Sequence, residues 1–325
     1  MDVLSDAVAA MRVGRPHSSL TRRQAPWGVR FTGAGGAGFH AVLEGHAWLV
    51  MAEGHGDAEP VRLGPGDIAF VTQRGAYELV SEPGVAVREV TLRLDGSGLA
   101  PVPPVSPVPR VMDAGSPSAV MICGAYLLDE NRPHPLLSDL PGLVHLAAAD
   151  EEGAPLRAVL GLLVTELTDP QPGTDTIVTS LLDTLLLLIL RTWWLGVRGS
   201  AGDHSGWAAA LAHPAVAAAL RAIHSDPAHP WTVGELGALG SLSRAPFARR
   251  FTESVGTPPL AYLTWWRMTT AAGRLREPDG APLRTVAERA GYSSEFAFAK
   301  AFKREFGMAP GQYRKLRGAG LALSG

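Results

Sequence analysis

The last third of the chain carries one pattern of unlike residues twice, 51 positions apart. Counting from Ser243, the residues Phe247, Phe251, Gly256, Pro259 and Tyr262 fall 4, 8, 13, 16 and 19 positions on. Counting from Ser294, the residues Phe298, Phe302, Gly307, Pro310 and Tyr313 fall at the same offsets. A base holds the sixth offset in both copies, Arg249 and Lys300, and a glycine stands three residues before each serine, Gly240 and Gly291. Coincidence at so many chemically different positions is improbable, so this region must fold as a duplicated structural unit.

The local grammar of the second copy is that of helix-turn-helix. Val286 to Ala290 reads as a short helix, Gly291-Tyr292-Ser293 as a tight turn, and Ser294 as the N-cap of a second helix. On that second helix Phe298, Phe302 and Phe306 recur every four residues as a buried stripe, leaving Glu295, Lys300, Lys303 and Arg304 elsewhere on its surface. Between the copies, Leu260 to Arg276 reads as a helical spacer, started by Pro258-Pro259 and stopped by Pro278-Asp279-Gly280. Its length, about 25 Å at 1.5 Å per residue, suits a strut between two helices that meet successive major-groove segments, which repeat about every 34 Å.

Net charge over the whole chain is −2, from 29 Lys and Arg against 31 Asp and Glu. The sum hides an asymmetry. From Trp231 to Arg317 there are 14 bases and 7 acids, a local +7; the remainder has 29 − 14 = 15 bases and 31 − 7 = 24 acids, or −9. A basic module on an acidic body is what attraction to phosphate requires.

The residues now carry a resemblance. The segment from Pro214 to Leu316 resembles the DNA-binding domain of the AraC/XylS transcription regulators, through Gly291-Tyr292-Ser293-Ser294, Phe298-Ala-Lys-Ala-Phe302-Lys-Arg and Gly307-Met-Ala-Pro310-Gly-Gln-Tyr313-Arg314. By that likeness Arg244, Ala245 and Arg249 on the first recognition helix, and Glu295, Phe296 and Lys300 on the second, match positions that face base edges. Arg and Lys suit guanine O6 and N7, Glu295 suits cytosine N4, and Ala245 or Phe296 suits a thymine methyl. The first copy departs from the family in two places: Ser241 stands where glycine is more frequent, and Pro246 lies in the first turn of its recognition helix.

The N-terminal half has a different texture. Asp2 to Val13 reads as a short amphipathic helix. Short apolar or alternating runs then follow: Phe39–Leu43, Ala47–Met51, Pro60–Leu63, Asp67–Val71, Tyr77–Val80, Val85–Leu94 and Ala119–Leu128, separated by Gly, Pro and Asp turns. Such spacing predicts a small barrel or jelly roll, with Pro101 to Pro109 as an external loop. Pro155–Leu167 and Ile177–Trp194 read as two long helices, and Gly196–Gly206 as a flexible tether. Ile177–Trp194 is the expected dimer interface, with Leu185 at its centre.

Residues 1 to about 150 resemble the cupin sensor domains that precede such DNA-binding modules, through Phe39-His40-Ala41-Val42-Leu43-Glu44-Gly45 and Leu63-Gly64-Pro65-Gly66-Asp67-Ile68-Ala69-Phe70-Val71. Enzymatic cupins hold a metal with three histidines and a carboxylate. Here His40 and Glu44 alone remain, Val42 and Tyr77 standing where histidines belong, so no metal, other cofactor or catalytic group is expected. His40, Trp48, Tyr77 and Cys123 are the candidate effector-pocket residues. Cys123 is the single cysteine, flanked by Ile122 and Gly124, and reads as a packing thiol; no intramolecular disulfide is possible.

The opening Met1-Asp2-Val3-Leu4-Ser5-Asp6 lacks a basic n-region, and the apolar run Thr176–Val197 is interrupted by Asp183 and Arg191. A cytoplasmic protein without a membrane partner is therefore expected. The fold class is α+β: a cupin-like barrel with accompanying helices over 1–150, a helical dimerisation and linker region over 151–200, and an all-α double helix-turn-helix domain over 207–318. The function that follows is a sequence-specific transcriptional regulator. Its expected partners are double-stranded promoter DNA, a second copy of itself, a small-molecule effector and RNA polymerase. A metal-dependent cupin enzyme with a helical appendage is the alternative.

Overall fold

Short β-branched and aromatic runs punctuated by glycine and aspartate fold as sheets with one buried face because alternate side chains share a face. The computed structural model describes residues 2–11, 15–32, 36–51, 59–72, 75–95, 98–101, 118–126, 128, 134–135, 139–148, 153–199, 206–277 and 280–315. It forms two compact units. One comprises residues 12–131 and 140–196; the other joins 1–11 and 132–139 to 197–325. The fold is α+β.

In the first unit, β1 (His17–Arg23), β3 (Ala37–Gly45), β6 (Ile68–Thr72), β10 (Ala119–Tyr126) and β11 (Leu143–Leu146) make a five-stranded sheet in the order β1-β10-β3-β6-β11. The strands β2 (Gly28–Thr32), β4 (Ala47–Met51), β5 (Val61–Leu63), β7 (Tyr77–Val80), β8 (Arg88–Asp95) and β9 (Gly98–Pro101) make a six-stranded one, in the order β5-β4-β7-β2-β8-β9. Val42, Ala69, Val71, Ala119 and Met121 from the first sheet meet Ala47, Leu49, Leu63, Tyr77 and Leu79 from the second in one buried cluster with Trp27. Asp67 staples the glycine turn of the cupin-like motif: its carboxylate accepts from Gly64 N and from Ala148 N, both at 2.8 Å.

The other face of the five-stranded sheet bears Phe39, Phe70 and Tyr126, whose rings lie 5.7 and 6.4 Å apart. The Tyr126 hydroxyl donates to the Leu182 carbonyl at 2.8 Å, fixing α3 (Thr174–Gly199) to this unit; α2 (Ala154–Thr168) precedes it. By length and composition Thr174–Gly196 is apolar enough to cross a membrane, although Asp183 and Arg191 predicted otherwise. Within the unit, however, it is a core helix, with Leu182, Leu185, Leu186, Ile189 and Leu190 buried. That corrects the expectation for Leu185, which faces the interior of this unit; the large apolar residues exposed here, among the described residues, are Leu162, Ile177 and Leu195.

Other boundaries shift as well. β8 starts at Arg88 rather than Val85, and Pro101 ends β9 instead of opening a loop; 102–109 lie outside the described residues. Gly196 to Gly199 continue α3, and Gly206 begins α4 (Gly206–Ala212), so only 200–205 of the expected tether remain, outside the described residues.

The second unit is helical: α5 (Pro214–Ser225), α6 (Val233–Ala238), α7 (Arg244–Val255), α8 (Pro259–Arg276), α9 (Leu283–Arg289) and α10 (Glu295–Phe306), with a last helix over 310–315. The N-terminal helix α1 (Val3–Met11) belongs to it and packs on α5 and α8, burying Val3, Leu4, Ala7 and Val8. A buried polar cluster stands at its centre. The His224 ring stacks on Trp266 at 3.8 Å, its Nε2 lies 2.8 Å from the Tyr262 hydroxyl, and its Nδ1 lies 3.5 Å from the Asp6 carboxylate. His134 joins this cluster, edge-on to Trp207 at 4.8 Å and to Trp265 at 4.9 Å.

Candidate nucleic-acid interface

The duplication is geometric as well as sequential. Phe247 and Phe251 have ring centroids 5.6 Å apart, as do Phe298 and Phe302. Phe251 meets Tyr262 edge-on at 5.9 Å, and Phe302 meets Tyr313 edge-on at 5.4 Å. All six rings are buried. Both recognition helices run for 12 residues and end on a left-handed glycine, Gly256 at φ 77° and Gly307 at φ 73°. Each phenylalanine pair therefore fixes the rotation of its helix about its own axis, and with it the residues left outside.

The six candidate residues are among those left outside. Arg244, Ala245 and Arg249 on α7, and Glu295, Phe296 and Lys300 on α10, are all exposed. Phe296 is 81% exposed, which no contribution to folding explains. Arg249 lies 4.0 Å from Glu253 one turn on, with its side chain 77% exposed. The strut between the copies is α8, 18 residues long and hence about 27 Å. It is tied at its middle and at its C-terminal end: Arg267 Nε donates to the Pro227 carbonyl at 2.6 Å, and Arg276 donates to the Tyr313 hydroxyl through Nε at 2.9 Å and Nη2 at 2.6 Å.

The two turns differ. In the second, Gly291 takes φ 76° and the Tyr292 N–H returns to the Ala287 carbonyl at 2.9 Å. In the first, the left-handed residue is Ser241 at φ 60°, the one positive-φ non-glycine among the described residues, and Leu242 N–H returns to the Gly237 carbonyl at 3.0 Å. The turn glycines Gly240 and Gly291 match in sequence but not in conformation. The matching turn bonds run 50 residues apart while the serine caps run 51 apart, so the first turn is one residue shorter. Gly240 is required for another reason: a Cβ there would overlap Ala215 of α5. The caps differ too, since Ser294 accepts from Ala297 N at 3.2 Å whereas the Ser243 side chain makes no cap bond.

The barrel candidates divide. Cys123 lies directly across from His40 in the β10–β3 pairing. His40 Nε2 is 2.9 Å from the Tyr77 hydroxyl, and Phe31 covers both rings at 5.1 and 5.0 Å. Gly38 leaves space for that hydroxyl; a Cβ there would stand 2.5 Å from it. Burial holds the His40 imidazole down to about 4 and pushes the Cys123 thiol up to about 11, so both are neutral near pH 7. Trp48 is not part of this group. Its neighbours Ala47 and Leu49 point into the barrel cluster, and strand alternation turns Trp48 to the opposite face. Glu44 is exposed at the end of β3, and among the described residues no three His, Cys, Asp or Glu side chains come together as a metal requires.

Residues 2–194 match the cupin family, and residues 238–316 match the helix-turn-helix domain family. A putative AraC-like transcription regulator of Streptomyces antibioticus is 35% identical over 317 residues, 97% of this chain and 99% of that protein. The chain belongs to the AraC-like transcription regulators. A second such regulator, from Streptomyces lividans, is 35% identical over 319 residues, 97% of this chain and 98% of that protein. The RCS-specific HTH-type transcriptional activator RclR of Escherichia coli is 29% identical over 279 residues, 85% of this chain and 84% of that protein.

In this AraC-like regulator two further charged residues, Arg250 and Glu253, share the exposed side of α7 with the three expected ones. The signal for Glu253 was present in the sequence, because it corresponds to Arg304 at the 51-residue shift. The central cluster of His134, His224, Tyr262 and Asp6 had no such signal, since its members are far apart in the chain.

Proposed function

We propose that the chain binds double-stranded promoter DNA through α7 and α10, with Arg244, Ala245, Arg249, Glu295, Phe296 and Lys300 meeting base edges in two successive major-groove segments. The observation that carries this reading is the matched burial of two duplicated helices, which leaves these six residues outside while the phenylalanines are buried. The strut length of about 27 Å, with a helix packed at each end, is compatible with the roughly 34 Å groove repeat. Binding assays on a selected operator test it: Arg249→Ala and Lys300→Ala each cost about 1 to 3 kcal/mol of specific affinity, and wild-type affinity falls steeply with salt. Unchanged affinity in both variants refutes the assignment.

In this reading the barrel senses a small molecule at His40, Tyr77 and Cys123, and acts through differential affinity for two arrangements of the chain. The regulator works as a homodimer through the exposed residues Ile177 and Leu195 of α3, and engages RNA polymerase in the cytoplasm. It is not an enzyme. The pairing of His40 with a tyrosine rather than with further ligands favours this over metal catalysis; elemental analysis of the purified chain is expected to find no stoichiometric Fe, Mn, Ni or Zn.

A further inference from the structure

Building on the reading that α7 and α10 meet one duplex, we propose that they read opposite base chemistry. Arg244 and Glu295 are the specificity-determining pair, so the operator is an asymmetric two-part site: guanine under the first turn of α7, and cytosine beside thymine under the first turn of α10.

Position 244 corresponds to 295, 245 to 296, 249 to 300 and 253 to 304, and all eight residues are exposed. Arg249 and Lys300 are both cationic, so they do not distinguish the halves. At both ends of the helices the sign reverses: Arg244 against Glu295, and Glu253 against Arg304. The guanine edge in the major groove offers only acceptors, N7 and O6, which a guanidinium fork satisfies and a carboxylate cannot. Cytosine N4 offers a donor, for which the roles are reversed. Each helix thus rejects the base that the other selects. Beside Arg244 stands Ala245, and beside Glu295 stands Phe296, a large exposed ring whose natural apolar partner in the groove is a thymine methyl.

Local stability accounts for one helix and not for the other. In α10 the acid lies in the first turn and Lys303 and Arg304 in the last, as the helix dipole favours. In α7 there is no acid in the first turn and no base in the last, and the serine cap makes no side-chain bond. Arg244 begins α7 against the dipole, where folding alone would not select it, and violations of local preference concentrate at functional positions.

Selection of duplexes from a randomised pool by the full-length chain tests the proposal. Wild type is expected to enrich two submotifs about one helical turn apart. Arg244→Ala should abolish discrimination at the guanine position alone, and Glu295→Ala at the cytosine position alone, each worth about tenfold or more in affinity. The fourfold exchange R244E, A245F, E295R, F296A should enrich the same submotifs in reversed order. If wild type enriches a sequence but the single variants lose no discrimination, or the exchange leaves the order unchanged, this proposal is overturned and the DNA-binding reading stands. If wild type enriches nothing, that reading falls and takes this proposal with it.

Discussion

Ser241 is a β-carbon residue held at φ 60°, in the turn that aims α7. A left-handed conformation costs a non-glycine residue of order 1 kcal/mol or more. Ser241→Gly is therefore expected to raise stability by about 1 kcal/mol, read as a shift of the chemical-denaturation midpoint, while the operator affinity stays within twofold. His40 supplies a second test. Its folded pKa of about 4 lies below the ordinary 6.5, so the unfolded chain binds more protons between those values, and stability is fully present above pH 6.5 and lost as pH falls toward 4. At pH 5 the loss from His40 amounts to roughly 2 kcal/mol; melting of wild type at pH 7 and pH 5 beside His40→Phe checks it, the variant losing less. At this scale the sequence was informative where periodicity reported burial. The exposure of the six candidate residues was legible because Phe247, Phe251, Phe298 and Phe302 define the inner face. Strand alternation sets Trp48 apart from His40, Tyr77 and Cys123, since Ala47 and Leu49 mark the inward positions of its strand.

Among elements, α3 shows how an apolar run is misread when its partners are unknown. Leu182, Leu185, Leu186, Ile189 and Leu190 are buried within the chain itself, and the Tyr126 hydroxyl fixes the helix through the Leu182 carbonyl. Leu185→Asp is accordingly expected to unfold this unit, costing at least about 3 kcal/mol, rather than to yield a folded monomer. Ile177→Asp with Leu195→Asp, at exposed positions, is expected to leave the melting temperature nearly unchanged and to halve the mass seen by sedimentation. A folded double variant that keeps the wild-type mass would remove the dimer assignment from this side of α3. Helix ends were less legible than helix identities. Gly196 and Gly199 looked like a tether by composition, yet glycine lowers helix propensity without forbidding it, and α3 runs through both.

For the molecule as a whole, the sequence separated a barrel from a duplicated helical module because their periodicities differ, two against 3.6. It did not reveal that the first helix and residues 132–139 belong to the helical unit. That partition depends on non-local packing: Asp6 against His224, His134 among Trp207, Tyr262, Trp265 and Trp266, and Trp207 N–H donating to the Asp139 carboxylate at 2.5 Å. No local pattern encodes such contacts. In the proposed function two copies of one helix-turn-helix, braced by α8, read a single duplex. Base-resolution footprinting of the full chain on its selected operator tests it most directly, with wild type, Arg249→Ala and Lys300→Ala compared side by side. Two protected major-groove segments about one helical turn apart, the first weakened by Arg249→Ala and the second by Lys300→Ala, are the expected result. A single protected segment, or two segments indifferent to both substitutions, would contradict it.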